Sequence, residues 1–204
     1  MDTALRAKLS AIVGESGVGA FAAVHPANVT QLREVLITCV GAGASVAPVG
    51  SPRSGRADVV IAVDRLDAIR VDAAAMLAHV GAAAPWTAVR EAVTARRLAV
   101  AGLPSLRSER VGESIALGEV AHRVIAGIDL FTPAGELISN GGRTLKDVVG
   151  FDLAGLALGS GQRLGLVISV TLRLEPAGAG TPPEPAPGEW RGDAGVDLVA
   201  AFTS

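Results

Sequence analysis

Along residues 165–174 the sequence alternates, with Leu166, Ile168, Val170, Leu172 and Leu174 on one side and Ser169, Thr171 and Arg173 on the other. A side-chain period of two belongs to the β-strand. A strand of this length needs neighbours on both edges for its backbone groups and a second layer over its apolar side, so the chain must build a sheet with this segment at its centre. The opposite side is then wet or cofactor-facing. Five prolines within residues 176–188 exclude helix and central strand beyond it. That stretch reads as a linker, 177–188, before a short tail, 189–204, in which Val196, Val199 and Phe202 offer helical contacts. The expected division is an N-terminal helix and turn, 1–19, followed by a domain over 20–176.

Upstream, the periodicity alternates between helix and strand. Leu5, Leu9 and Ile12 mark an amphipathic first helix. Residues 20–24 read as a strand ending before His25-Pro26, and Asn28 or Thr30 caps a helix with Val29, Leu32, Val35, Leu36 and Cys39 on one face. Residues 45–49 and 58–63 are short β-rich runs, and 73–80 is another expected strand. Pro85 opens a helix of about a dozen residues carrying Trp86, Val89, Val93 and Leu98. From Val111 onward the pattern predicts mostly strand, with a hairpin turning at 133–136 and a short helix over 152–158.

Half of the 204 residues are hydrophobic, 19% are charged and the formal net charge is −2. No apolar run approaches the roughly 20 residues that a membrane span needs, so none is expected. Without a basic stripe to release counterions, nucleic acid is not an expected partner either. Cys39 is the single cysteine and His25, His79 and His122 are dispersed, which gives no metal-ligand spacing. Asp2, Arg6 and Lys8 interrupt the first apolar pattern, which is a helix rather than a signal peptide and points to the cytoplasm.

Single motifs carry little. Residues 14–19 have P-loop glycine spacing, but Ala20 and Phe21 stand where Lys and Ser or Thr should reach phosphate and magnesium. Around Ser114 a loose nucleophile elbow lacks its partners, and Ser114 reads as a loop serine. The informative constellation is distributed: glycine-rich turns at 50–55, 112–118, 141–142 and 159–161, each at a strand edge where backbone N–H groups can face an anion.

Residues 141–153, from Gly141-Gly142 through Lys146 to Gly150-Phe151-Asp152-Leu153, run on into Gly159-Ser160-Gly161-Gln162-Arg163-Leu164-Gly165-Leu166-Val167-Ile168. This stretch resembles the vanillyl-alcohol-oxidase (PCMH) type of FAD-binding domain, and most closely the FAD-binding subunit of glycolate oxidase. That family carries a glycine pair, Lys, Gly-Tyr-Asp-Leu and then Gly-Ser-x-Gly-x-Leu-Gly-Val-Ile. Residues 25–36, 64–69, 81–86 and 102–112 resemble further family elements in order, so the likeness covers about 20–176. It implies an α+β fold of two subdomains with FAD held non-covalently between them, without the usual cap or substrate domain.

The resemblance assigns cofactor contacts to Gly50, Ser51, Arg53, Ser54 and Gly55 in one loop and to Pro104, Val111, Gly112 and Ser114 in a second. It assigns others to Gly150, Phe151, Gly159, Ser160, Gly165 and Val167. Departures from the pattern are specific. Pro52 supplies no N–H to the first loop, Glu113 brings a negative charge to the second, Phe151 replaces a tyrosine, and no His or Cys in the first loop can tether flavin. No general base is recognisable, so the catalytic residues stay unassigned. The implied function is the FAD-binding component of an oxidoreductase acting on a small, 2-hydroxy acid-like molecule, with a protein partner or second subunit covering the flavin. The alternative is a cofactor-free binding or scaffold module that keeps the fold.

Overall fold

A computed structural model of the protein describes residues 2–49, 54–103, 105–140 and 152–178. Two helices begin the fold. Helix α1 (Thr3–Val13) buries Leu5, Leu9 and Val13, and α2 (Val29–Gly41) buries Leu32, Val35, Leu36 and Cys39. The periodicity is realised because each set recurs every three or four residues on one face. Asn28 caps α2 by accepting the Gln31 N–H at 2.9 Å, satisfying one of the first-turn donors that have no partner within the helix. Val29, placed by its spacing on the buried face, is 40% exposed in the first turn.

These helices share a core with a parallel three-stranded sheet of β1 (Ala23–Val24), β2 (Val46–Pro48) and β3 (Val59–Ile61), in the order β1-β3-β2. The strand expected over 20–24 shrinks to two residues because Ala20–Ala22 forms a tight 3-10 turn with Ala22 at φ 61°.

The second sheet is six-stranded and antiparallel. Its strands are β4 (Ile69–Asp72), β5 (Leu77–Gly81), β6 (Leu98–Val100), β7 (Ile125–Phe131), β8 (Leu137–Asn140) and β9 (Leu166–Pro176). The order is β4-β5-β9-β7-β8, with β6 on the far end of β9, so the alternating segment is central as its pattern requires. Strands β7 and β8 form the expected hairpin.

The alternation of β9 does not run through unbroken. Ser169 pairs with Asp129, but Val167 pairs with Leu130, which leaves Ile168 as an extra residue. This bulge shifts side-chain parity by one. Val170, Leu172 and Leu174 therefore share a core with Val167, while Leu166 and Ile168 turn into the core of α1, α2 and the small sheet. The second side is accordingly mixed: Ser169 Oγ donates to Asp129 and Thr171 Oγ1 lies 2.9 Å from His79 Nδ1, beside fully packed apolar residues.

Three further sequence expectations are corrected. The strand over 73–80 is the hairpin of β4 and β5, whose turn is held by Asp72 Oδ1 accepting the Ala75 N–H. Helix α3 (Trp86–Thr94) stops short of Leu98, which lies in β6 after Arg97 takes a left-handed φ of 56°. The stretch after Val111 opens not as strand but as α4 (Val111–Leu117), where Val111 and Ile115, one turn apart, face the core. Gly112, Glu113 and Ser114 between them hide that period. A short α5 (Leu153–Ala157) follows Asp152, whose carboxyl accepts from Gly155 N–H and His122 and is held below the usual carboxylate range by these two contacts.

Candidate functional site

A cleft of about 390 Å³ opens where the small sheet meets the large one. Val49 and residues 62–64 reach it from just beyond β2 and β3, at the carboxyl ends of parallel strands, where irregular backbone leaves room for a ligand. Ala82 and Ala83 follow β5, and Val167 comes from β9. The remaining wall is α4, through Gly112, Glu113, Ala116 and Leu117, with Arg110 before it and Gly161-Gln162 after α5.

The wall is tight where α4 crosses the end of β5. Gly112 N–H donates to Ala82 O at 2.8 Å, and a Cβ at Gly112 would stand 2.8 Å from the Ala82 Cβ. Only glycine fits there. Val111 N–H donates to Ala84 O, and the Arg110 guanidinium donates to Ala83 O at 2.9 Å. At the other end of α4, Gly159 N–H donates to Ile115 O and Gly161 N–H to Ala116 O, both at 3.0 Å. These glycine N–H groups, read from sequence as anion-facing, close the helix ends instead, because buried carbonyls must find donors.

The chemistry of the described wall is apolar with acceptors. Valine, alanine and leucine side chains supply its surface; Asp64 and Glu113 supply carboxylates, and Asp64 is fixed by His25 Nδ1 at 3.0 Å. Glu113 sits in the first turn of α4, where its charge complements the helix dipole. Two carboxylates against one guanidinium disfavour a phosphate at this wall.

One residue is held at a cost. Gln162 lines the cleft, takes a left-handed φ of 59°, and keeps its Oε1 buried with no hydrogen-bond partner among the described residues. A left-handed non-glycine residue costs roughly 1–2 kcal/mol, and an unsatisfied buried acceptor about 1–3 kcal/mol. Ser108 Oγ is likewise buried and unsatisfied, but it does not line the cleft.

Of the residues assigned to cofactor from sequence, Gly112 and Val167 meet in this cleft. Gly50, Ser51, Arg53, Pro104, Gly150 and Phe151 lie outside the described residues, as does the side chain of Ser54. Gly55 is exposed in the turn Ser54–Arg56. Val111 is fully buried in the core. Ser114 is no loop serine: it is fully buried on α4, donates to Val111 O at 2.8 Å and accepts from Trp86 Nε1 at 3.0 Å. Gly159 and Ser160 form the turn that closes α4, and Gly165 sits where a Cβ would stand 2.4 Å from Phe131 O. Asp64, Ala82, Ala83, Arg110 and Gln162 fall in stretches that resemble family elements, yet the sequence assigns none of them a contact and Arg110 is expected outside the pocket; the structure places all five in the cleft wall.

No family model matches the chain. Over 167 residues it is 29% identical to an uncharacterized FAD-linked oxidoreductase found in two strains of Mycobacterium tuberculosis, a likeness covering 74% of this chain and 36% of those proteins. The chain thus spans little over a third of these relatives' length. Among solved structures it superposes on a Phl p 4 variant, a glucose oxidase, with TM-score 0.62 and 16% identity over 86% of this chain and 40% of that one. Wild-type Phl p 4.0202, a glucose dehydrogenase, gives TM-score 0.60 with 17% identity over 85% and 40%. A BBE-like 1 variant of Physcomitrella patens gives 0.58 with 17% identity over 74% and 36%. The chain shares the fold of the corresponding part of these proteins.

Proposed function

We propose that this chain is the FAD-binding component of an oxidoreductase, holding the cofactor non-covalently in the cleft between its two sheets. The observation that carries the reading is the cleft itself, at the carboxyl ends of β2 and β3 and lined by apolar side chains with a few acceptors. The likeness to FAD-linked oxidoreductases adds weight from outside the geometry.

The described wall fits the ring end of a flavin. Val63, Ala82, Leu117 and Val167 offer flat apolar surface, and the buried, unsatisfied Gln162 Oε1 is an acceptor in want of an N–H. The pyrophosphate belongs, in this proposal, with the loop of Gly50, Ser51, Arg53, Ser54 and Gly55 and with Gly150 and Phe151. Bound flavin would supply two-electron oxidation of a small organic substrate of the 2-hydroxy acid kind. This chain's residues would orient the ring and exclude water from its apolar side. A partner subunit, or further chain of the kind its longer relatives have, would cover the exposed edge and bring the substrate-orienting groups.

The test is the absorption and fluorescence of the purified full chain, before and after adding FAD and passing the mixture through gel filtration. Flavin co-eluting with the protein, with altered fluorescence, is the expected result. Flavin eluting wholly free, with an unperturbed spectrum, would overturn the reading and leave the cofactor-free module.

A further inference from the structure

Gln162 has no account in the fold. It stands at the fourth position of Gly-Ser-Gly-Gln-Arg-Leu-Gly, where the Gly-Ser-x-Gly-x-Leu-Gly pattern that this stretch resembles has glycine. The backbone there keeps the conformation glycine is suited to, φ 59°, although the side chain is now five heavy atoms long. Neighbouring Gly161, at φ 58°, shows that the turn itself demands left-handed geometry. Among the described residues three other non-glycine residues, Ala22, Met76 and Arg97, are also left-handed, but none of them lines the cleft. Gln162 combines strain, a place in the cleft wall and a buried acceptor without a donor among the described residues. Strain and an orphaned polar atom persisting at one residue call for a compensating contact that the described residues do not provide.

Resting on the flavin reading above, we propose that Gln162 is a cofactor-binding residue particular to this chain: its side chain turns the Oε1 that lies buried in the wall out towards the cleft, where it accepts a hydrogen bond from the N–H edge of a planar heterocycle, the imide N–H of the flavin ring. The chemistry of the wall agrees. An acceptor in the same cleft as the carboxylates of Asp64 and Glu113 selects a donor over phosphate, while Val63, Ala82 and Val167 suit a flat ring. An adenine amino group carries the same donor chemistry at the cofactor's other end, so the assay must separate the two ends.

The experiment titrates the full chain and its Gln162→Gly and Gln162→Leu variants with FAD, riboflavin, 3-methylriboflavin and AMP, by flavin fluorescence and calorimetry, and records each protein's melting temperature without ligand. Both variants should bind FAD and riboflavin about tenfold more weakly, the worth of one hydrogen bond of roughly 1.4 kcal/mol. Wild type should prefer riboflavin to its 3-methyl derivative by a similar factor, a preference both variants lose. Gln162→Gly should melt at a temperature no lower than wild type, since it relieves the left-handed strain; a purely structural glutamine would lower it. Weakened AMP binding with riboflavin unaffected would overturn the flavin-imide assignment in favour of the adenine end. Tighter FAD binding by Gln162→Gly would overturn the proposal outright, showing that the side chain fills space the cofactor needs. Unchanged affinities with FAD still bound would overturn this inference alone, whereas failure of every flavin to bind wild type defeats the reading beneath it as well.

Discussion

No strand of the small parallel sheet exceeds three residues, whereas β9 of the large sheet runs for eleven. Strands of two or three residues contribute few ladder hydrogen bonds, so the small sheet depends on Leu5, Leu9, Leu32 and Val35 packing over it from α1 and α2. The large sheet carries its own spine, because β9 is paired on both edges and its core runs from Ala78 to Leu174. Where the two meet, backbone lies against backbone. Ala83 N–H donates to Leu66 O, and Leu66 itself belongs to the core of the small sheet. The difference teaches that the cleft is a product of assembly: neither sheet alone has both of its walls.

The largest expected effect attacks that junction. A Cβ at Gly81 would stand 2.1 Å from Leu66 O, and backbone cannot step aside as a flexible side chain can. Gly81→Ala should lose about 3 kcal/mol of stability through this overpacking, read as a fall in the urea midpoint. An unchanged midpoint would show that the two regions are loosely joined and that the comparison has the wrong seam.

A smaller effect separates the regions by pH. Cys39, on the buried face of α2, has its thiol pKa pushed by burial from 9.0 up to about 11. Because the folded value is the higher, the unfolded chain ionises first; stability is intact below pH 9 and falls as pH rises towards 11, by about 2.7 kcal/mol at 1.36 per unit. Urea unfolding at pH 8, 9, 10 and 11 should show that decline, and Cys39→Ala should show a shallower one. Equal alkaline slopes in the two proteins would remove Cys39 as the cause.

The smallest effect probes the large sheet's core. Ser114→Ala deprives the buried Trp86 indole N–H of its acceptor and should cost about 1–2 kcal/mol, while Trp86→Phe in the Ser114→Ala background should cost less than in wild type. Additive losses, measured by the same unfolding assay, would mean that the pair is packing and not a hydrogen bond.

How much could be read in advance follows from the range of each interaction. The faces of α1 and α2, the Asn28 cap, the β7–β8 hairpin and the centrality of β9 follow from residues a few positions apart, and the structure has them. Helix α4 was hidden because Gly112, Glu113 and Ser114 are poor helix formers or polar, and its place is set by Ala82, Ala84 and the turn at 159–161, far away in sequence. The glycines of the site were visible as glycines; what each is for was not. Gly112 and Gly165 are there for close backbone approach, and Gly159 and Gly161 donate to the end of α4.

By itself the sequence determined the periodic elements, their caps and turns, and the distributed likeness to an FAD-binding domain, since these reside in local spacing and in the order of short motifs. Tertiary structure alone decided that the β9 bulge at Ile168 splits one strand between two cores, that Ser114 is buried against Trp86, and that Asp64, Ala82, Glu113 and Gln162 face one cleft. The physical reason is that a hydrogen bond or a steric contact between residues tens of positions apart leaves no periodic trace, so only the folded chain brings its two halves together.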